Sequence, residues 1–395
     1  MKLQLLAWLF ATVVLTCFPL KFCTTLHAEE LAPPATPAAS ASASNVVLVT
    51  LDGLRWQELF TGADAMLMDR DAGKVRDVAA LKERYWRDSP VERREQLMPY
   101  FWSQIAPQGI VFGNPEEASR AVVVNNMHFS YPGYSEILCG FADPSIDSNA
   151  KKNNPNVTVL EWLNQQSSFQ GKVAAFCSWD VFPYIINRKR SGLLVNAGWE
   201  PLAGVLSSDE NSPAELRAAH DRLAQLDRVA DQMPHVWDGV RYDYFTFRAA
   251  EEYVRIHHPR VLYLSLGETD DWAHEGRYDL YLDSARRNDD YIRQLWTRLQ
   301  SMPQYRNNTT LILTTDHGRG DGRVSWKSHG TDIPGCERIW MAVLGPQVQT
   351  DGAKPEQVTQ SQIAATVAAA VGEDFVSDHP QASPALSVFP IAKSK

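Results

Sequence analysis

Short apolar runs alternate along this chain with longer stretches in which apolar residues recur at helical spacing. The apolar runs contain few polar positions and predict strands buried on both faces of a sheet; they lie at residues 46–51, 109–113, 121–124, 173–179, 260–266, 309–314 and 338–344. The amphipathic stretches predict helices at residues 157–168, 214–233, 245–257, 278–302 and 361–371. Alternation of this kind predicts an α/β fold, with a mostly parallel central sheet and helices on both faces.

The ends of the chain differ in composition from this pattern. Residues 1–28 combine Lys2, an apolar stretch and a small-residue cleavage site, which predicts a signal peptide and a secreted or periplasmic protein. Pro19 and Lys21 interrupt the apolar stretch, so no stable membrane anchor is expected. Residues 29–44 are rich in Ala, Pro and Ser and are interpreted as a flexible leader. Residues 45–395 then form the folded domain, with a small lid or cap insertion at 183–243.

Three of the predicted strands end in carboxylates and imidazoles. The first ends in Asp52-Gly53, the run at 260–266 leads to Asp270 and His274, and the run at 309–314 leads to Asp316-His317-Gly318. Strand ends of a parallel sheet meet at one edge, which indicates a divalent-metal site there. The alternatives are a surface turn for Asp316-His317-Gly318 and a plain i,i+4 ion pair for Asp270 and His274.

Ser130 follows the predicted strand at 121–124 and precedes Pro132, which favours the start of a helix. A hydroxyl at that position would meet free backbone N–H groups and the positive end of the helix dipole, which favour an alkoxide and an incoming phosphate. The alternative is that Ser130 serves only as a helix N-cap.

Charge and cysteine content narrow the class of protein. A net charge of −9 without runs of Lys or Arg argues against a nucleic-acid-binding surface. Cys139, Cys177 and Cys336 allow at most one disulfide after the signal segment, and no Cys-x-x-Cys motif is present.

The order of these motifs resembles the alkaline phosphatase superfamily, and within it the nucleotide pyrophosphatase/phosphodiesterase branch. The matching elements are Asp52-Gly53, Ser130-Tyr131-Pro132 with Gly140, Asp270-x-x-x-His274, Asp316-His317-Gly318 and the isolated His329. The resemblance implies one metal held by Asp52, Ser130, Asp316 and His317, and a second metal held by Asp270, His274 and His329. It further implies an asparagine that holds a phosphoryl oxygen; Asn149 and Asn154 are the candidates, and Asn149 is preferred.

This chain departs from the family pattern at three positions. The phosphodiesterase branch usually has Thr where Ser130 stands, and Asn where Gly133 stands. Tyr134 occupies the position at which the sulfatase signature Cys/Ser-x-Pro-x-Arg has its arginine, so formylglycine-dependent sulfatase activity is not expected.

The resulting hypothesis is a hydrolase of small anionic phosphoric esters, either mono- or diesters, that works through a phosphoseryl intermediate on Ser130. Two divalent ions are expected, zinc first and manganese as the alternative. A phosphoryl transferase or mutase on the same scaffold, and a non-catalytic metal-binding module, are the competing interpretations. Trp179, Phe182, Tyr184 and Trp199 are candidates to wall a pocket for a nucleobase or aryl group, or else pack in the core or lid.

Overall fold

The computed structural model describes residues 45–350 and 355–390 of the chain. The predicted signal peptide at 1–28 and leader at 29–44 lie outside these ranges. The strands of the described residues are β1 (Asn45–Leu51), β2 (Ile110–Phe112), β3 (Arg120–Val122), β4 (Val173–Cys177), β5 (Leu194–Ala197), β6 (Val261–Leu266), β7 (Thr309–Thr314), β8 (Arg338–Ile339), β9 (Met341–Leu344) and β10 (Gln357–Thr359).

Seven of these strands form the central sheet, in the order β2-β9-β7-β1-β6-β4-β5. Strand β9 runs antiparallel to both of its neighbours, and the other pairs in the sheet are parallel. Strand β1 lies in the middle and pairs with β6 on one side and β7 on the other. The predicted α/β class with a mostly parallel sheet is therefore confirmed.

Helices cover both faces of this sheet. They are α1 (Trp56–Thr61), α2 (Val78–Tyr85), α3 (Pro90–Leu97), α4 (Ala106–Gln108), α5 (Ser130–Cys139), α6 (Val159–Gln165), α7 (Phe182–Ile185), α8 (Arg188–Ser191), α9 (Ala214–Ala230), α10 (Asp243–His257), α11 (Glu268–His274), α12 (Tyr278–Ser301), α13 (Gly322–Ser325), α14 (Ile363–Ala370) and α15 (Phe375–Asp378). A π-helical turn at Phe101–Ile105 and 3-10 turns at Pro115–Glu117, Ala203–Val205 and Gln360–Gln362 complete the set in the described residues.

Alternation along β1 explains why two cores form. Val47 and Val49 pack on the face covered by α1, α3, α10 and α12, while Val46 and Leu48 pack on the face covered by α5, α6 and α14. Successive side chains of a strand point to opposite faces, so an unbroken apolar strand serves both cores at once. Within the described residues, no helix is both long and apolar enough to cross a membrane.

Two strands differ from the sequence prediction. The run at 121–124 does form a strand, β3, but it belongs to a separate three-stranded sheet with β8 and β10 rather than to the central sheet. Strand β5 lies inside residues 183–243, where no strand was predicted, and extends the central sheet as its edge next to β4. That range therefore includes part of the main sheet as well as helices α7, α8 and α9.

Candidate metal centre

The central strands β1, β6 and β7 deliver carboxylates and imidazoles to one edge of the sheet. Asp52 directly follows β1, Asp316 and His317 follow β7, and Asp270 lies on α11, just after β6. The three strands are adjacent and parallel, so their carboxyl ends lie side by side.

Asp52, Asp316 and His317 form the first group of ligand atoms. His317 Nε2 lies 3.5 Å from Asp52 Oδ1 and 3.3 Å from Asp316 Oδ2. Both carboxylate oxygens are buried, and neither has a hydrogen-bond partner among the described residues. An unpaired buried carboxylate oxygen is costly, and a dication between these atoms would remove that cost. The group therefore fits a divalent metal.

Asp270, His317 and His329 form the second group, whose ligand atoms lie within 4.8 Å of one another. His274 joins them: its Nε2 is 2.9 Å from His329 Nε2 and 3.2 Å from Asp270 Oδ2. Asp270 and His274 are thus close enough to form an ion pair, but the approach of His329 makes them part of a larger cluster. The seven predicted metal ligands, Ser130 included, come together in the structure.

Backbone carbonyls orient two of the imidazoles. His317 Nδ1 lies 2.9 Å from the carbonyl oxygen of Gly318, and His329 Nδ1 lies 3.1 Å from that of His128. A protonated Nδ1 donates to the carbonyl and leaves the lone pair of Nε2 directed into the cluster. This is the arrangement that a metal-binding histidine needs.

Ser130 is the first residue of α5, and its Oγ lies 3.4 Å from His317 Nε2. The N-cap position belongs to Phe129 and has no side-chain cap, so the N-cap interpretation of Ser130 is wrong. The expected row of free backbone N–H groups is also reduced, because the Tyr131 N–H donates to Asn149 and Pro132 has none. The loop between β3 and α5, rather than a strand of the central sheet, brings Ser130 to the site.

Close packing of α5 against the backbone of Asp316 fixes the position of the hydroxyl. A Cβ placed on Gly133 would lie 2.4 Å from the carbonyl oxygen of Asp316, a distance that side chains do not tolerate. Gly53 is equally restricted: its φ is +58°, and an added Cβ would lie 2.6 Å from Asp270 Oδ1. Glycine at these two positions allows the residues around the site to pack closely together.

The two asparagine candidates occupy different surroundings. Asn149 lines the cleft, and its Oδ1 accepts the Tyr131 N–H at 3.0 Å, which leaves the amide nitrogen to donate to a substrate oxygen. Asn154 is fully buried and donates to Ser135 Oγ at 3.1 Å.

The cleft above the cluster has a volume of about 360 Å³. Trp179 and Val240 line it together with Asn149 and five of the seven predicted metal ligands. Of the predicted aromatic wall, Trp179 lines this cleft and Phe182 is buried in the core, while Tyr184 and Trp199 line a neighbouring cavity.

The pKa values of the three carboxylates shift in opposite directions, because burial and mutual repulsion raise two of them and nearby cations lower the third. Burial, with the Asp270 charge, raises the pKa of Asp316 to about 8, and burial with the charges of Asp316 and Asp270 raises the pKa of Asp52 well above its usual range. Burial alone would raise the pKa of Asp270 too, but the Arg319 guanidinium and the nearby imidazoles hold it well below its usual range.

The histidines shift toward the neutral form. Burial lowers the pKa of His317 well below its usual range and lowers that of His329 to about 4. A neutral imidazole is the form that binds a metal, and a dication would in turn favour ionised carboxylates.

Arg319 and Tyr134 are two site residues that the sequence analysis missed. Arg319 is fully buried, and its guanidinium donates to Asp270 and to the Trp326 carbonyl. Tyr134 donates its hydroxyl to Asp52 Oδ2 at 2.8 Å. Two features of the sequence could have indicated these residues. Arg319 directly follows Asp316-His317-Gly318, and Tyr134 lies one helical turn after Ser130.

Comparison with known proteins identifies the family of the chain. The family model for type I phosphodiesterase / nucleotide pyrophosphatase matches residues 74–333. Among curated proteins no match is found.

Solved structures share the fold at low sequence identity. The wild-type alkaline phosphatase PafA is 11% identical, with a TM-score of 0.53 over 86% of this chain and 97% of that one. The C-terminal periplasmic domain of EptC from Escherichia coli, in complex with Zn, is 11% identical, with a TM-score of 0.50 over 90% and 89% of the two chains. The lipoteichoic acid synthase LtaP from Listeria monocytogenes is 10% identical, with a TM-score of 0.50 over 85% of this chain and 73% of that one. The chain belongs to the type I phosphodiesterase / nucleotide pyrophosphatase family, and its fold resembles that of the alkaline phosphatase PafA.

Proposed function

We propose that this protein is a metal-dependent hydrolase of phosphoric esters that uses Ser130 as its nucleophile. One observation carries the proposal. The Ser130 hydroxyl lies 3.4 Å from His317 Nε2, beside buried Asp52 and Asp316 oxygens that have no hydrogen-bond partner in the described residues. A serine hydroxyl beside buried carboxylate and imidazole ligands is the arrangement expected of a metal-activated serine.

Two divalent ions would be held by two neighbouring sets of residues. Asp52, Ser130, Asp316 and His317 would hold one ion, and Asp270, His274 and His329 the other. When bound, the ions lower the pKa of the serine hydroxyl and neutralise charge on the phosphoryl and leaving-group oxygens. Three imidazoles and three carboxylates favour zinc, and the zinc complex of the structurally similar EptC domain supports that choice; manganese is the alternative.

The residues of the chain then divide the chemical work. Ser130 loses its proton to solvent and its Oγ attacks phosphorus. The bond from phosphorus to the ester oxygen breaks, and the leaving alkoxide takes a proton from water. The Asn149 amide donates to a phosphoryl oxygen, and the N-terminal end of α5 places its positive dipole next to the developing charge. Water then hydrolyses the phosphoseryl intermediate and returns the Ser130 hydroxyl.

The substrate class follows from the same features. A cleft of about 360 Å³ with several carboxylates accepts a small anionic ester once its metals are bound. The net charge of −9 gives no support for nucleic acid as a partner. A secreted or periplasmic location is proposed from the signal-like composition of residues 1–28.

The test is a Ser130→Ala variant assayed on aryl phosphate mono- and diesters with zinc present. We expect kcat to fall by about a thousandfold or more, because no other hydroxyl takes the place of the nucleophile. Ser135→Ala is the matched control, since Ser135 is buried on the same helix and bonds to Asn154 rather than to the metal cluster. If Ser130→Ala retains full activity, the nucleophile assignment is wrong.

A further inference from the structure

A second, larger cavity lies next to the cleft of the metal centre. Its volume is about 570 Å³. Three short segments of the chain line both spaces. Asn149, Trp179 and Val240 line the cleft. Their near neighbours in sequence, Lys151, Asp180 and Asp238, line the cavity. A substituent on a phosphate held at the metal centre therefore has this cavity as its neighbouring space.

Positively and negatively charged side chains line the cavity in equal numbers. Lys151, Lys189 and Arg188 are matched by three carboxylates, those of Asp180, Glu200 and Asp238. Lys151 Nζ donates to Asp180 Oδ2 at 2.6 Å, and Arg188 donates to both oxygens of Glu200 at 2.8 and 3.0 Å. A lining with no excess charge gives little preference for a second anionic group, and a lining this rich in ions is unfavourable for a purely apolar one.

Paired acids and bases suit one kind of neutral group particularly well. A hydroxyl both donates and accepts a hydrogen bond, so neighbouring hydroxyls can donate to a carboxylate and accept from the ammonium or guanidinium beside it. The Lys151–Asp180 pair offers this combination at a half-exposed position, with the Lys and Asp side chains 50% and 30% accessible.

The aromatic part of the lining also favours a group that carries hydroxyls. One face of Trp199 is covered by His235, with ring centroids 3.6 Å apart and planes within 5°, and the Trp199 Nε1–H donates to the Trp237 carbonyl. His235 therefore occupies one of the two faces of Trp199. The remaining face can pack against the C–H face of a sugar ring.

We propose that this cavity binds the polyhydroxylated, sugar- or polyol-like part of a phosphate ester whose phosphoryl group lies at the metal centre. The proposal rests on the proposed function, because it uses the same centre for the phosphate. It assigns Lys151 and Asp180 a role in substrate specificity and none in the chemical step.

Binding to the metal-loaded protein tests the proposal without any need for turnover. Glucose 1-phosphate, methyl phosphate and adenosine 5′-monophosphate are titrated calorimetrically against the zinc-loaded full chain carrying Ser130→Ala, so that the ligands are not hydrolysed during the titration. We expect glucose 1-phosphate to bind about tenfold or more tightly than methyl phosphate, because hydrogen bonds to charged groups are added. Adenosine 5′-monophosphate is expected to bind more weakly than glucose 1-phosphate.

Substitutions of cavity residues test whether the difference in affinity arises in this cavity. Asp180→Asn and Lys151→Met should each reduce glucose 1-phosphate affinity about tenfold and leave methyl phosphate affinity within about twofold. Asp290→Asn is the matched control, because Asp290 is an ion-paired aspartate on α12 that lines neither space. Equal binding of glucose 1-phosphate and methyl phosphate, or tightest binding of the nucleotide with no effect of either variant, would overturn the proposal.

The two proposals fail in different ways. If aryl esters are hydrolysed but the three ligands show no such difference, only the cavity assignment is wrong. If no phosphate ester is hydrolysed, the proposed function is wrong, and the calorimetric comparison still decides whether the cavity recognises hydroxyl groups.

Discussion

At the scale of single residues, the charge of the Arg319 guanidinium holds the Asp270 carboxylate in place. Arg319 donates to the Asp270 carboxylate and to the Trp326 carbonyl from a fully buried position. It thereby links the second ligand group to the loop that leads to His329. Sequence motifs indicated the ligands but not this link, because nothing in the local pattern distinguishes a buried arginine from an exposed one.

Replacement of Arg319 by Met should therefore destabilise the metal-free protein strongly. The change removes one partner of a buried ion pair and leaves the other without its cation, which typically costs about 3–5 kcal/mol. Urea unfolding in EDTA measures the free energy of unfolding. Arg84→Met is the control, since the Arg84–Asp283 pair is half exposed and its loss should cost less than about 1 kcal/mol. Equal costs for both variants would contradict this account of Arg319.

At the scale of secondary structure elements, the position of α5 against the strand end of β7 determines the site. The missing Cβ of Gly133 is what lets the helix approach Asp316 closely. The first turn of α5 is fixed in addition by the Tyr131 N–H, which donates to Asn149. Helix α5 thus positions the proposed nucleophile, Ser130, and its contacts orient the asparagine proposed to assist it.

Gly133→Ala should displace α5 and separate Ser130 from His317. A misplacement of about 1 Å can reduce kcat by about a hundredfold, and we expect a loss of about 10- to 100-fold here. Steady-state kinetics on an aryl phosphate ester measure it. Gly204→Ala is the matched control, because a Cβ there meets nothing within 4 Å. Unchanged kcat in Gly133→Ala would show that α5 tolerates the shift.

The sequence predicted the elements that depend on local pattern and missed those that depend on distant partners. Strands β1, β6 and β7 are long apolar runs, so their ends and ligands were predictable. Strand β5 has only four residues and exists because β4 offers an open edge. Strand β3 pairs with β10, more than 200 residues away in the chain, and no local pattern specifies that pairing.

At the scale of the whole molecule, the buried Asp and His residues of the candidate metal centre link proton binding to stability. The folded-state pKa of Asp316 is raised to about 8, and that of Asp52 is raised too. A raised carboxylate pKa means that stability present at low pH is lost as the pH rises toward the folded-state value. His317 and His329 have lowered pKa values, so they cost stability only as the pH falls below about 6.5.

Between about pH 6.5 and 8, therefore, the carboxylates of the site change the stability and its histidines do not. The metal-free protein should become less stable as the pH rises through this range. Bound metal compensates the ionised carboxylates, so the stabilisation that it provides should grow over the same range. Thermal unfolding with EDTA or with zinc measures both trends. Asp316→Asn should flatten the pH dependence of the metal-free protein, and a steeper dependence in that variant would contradict the assignment.

The central claim is that two metal ions lie at the strand ends and that one of them contacts the Ser130 hydroxyl. Anomalous diffraction from crystals of the zinc-loaded protein tests it most directly. The account predicts two peaks, one among Asp52, Asp316 and His317 and one among Asp270, His274 and His329, with Ser130 Oγ at a coordination distance of about 2.0–2.2 Å from the first. A single peak, or two peaks that leave Ser130 outside coordination distance, would contradict it.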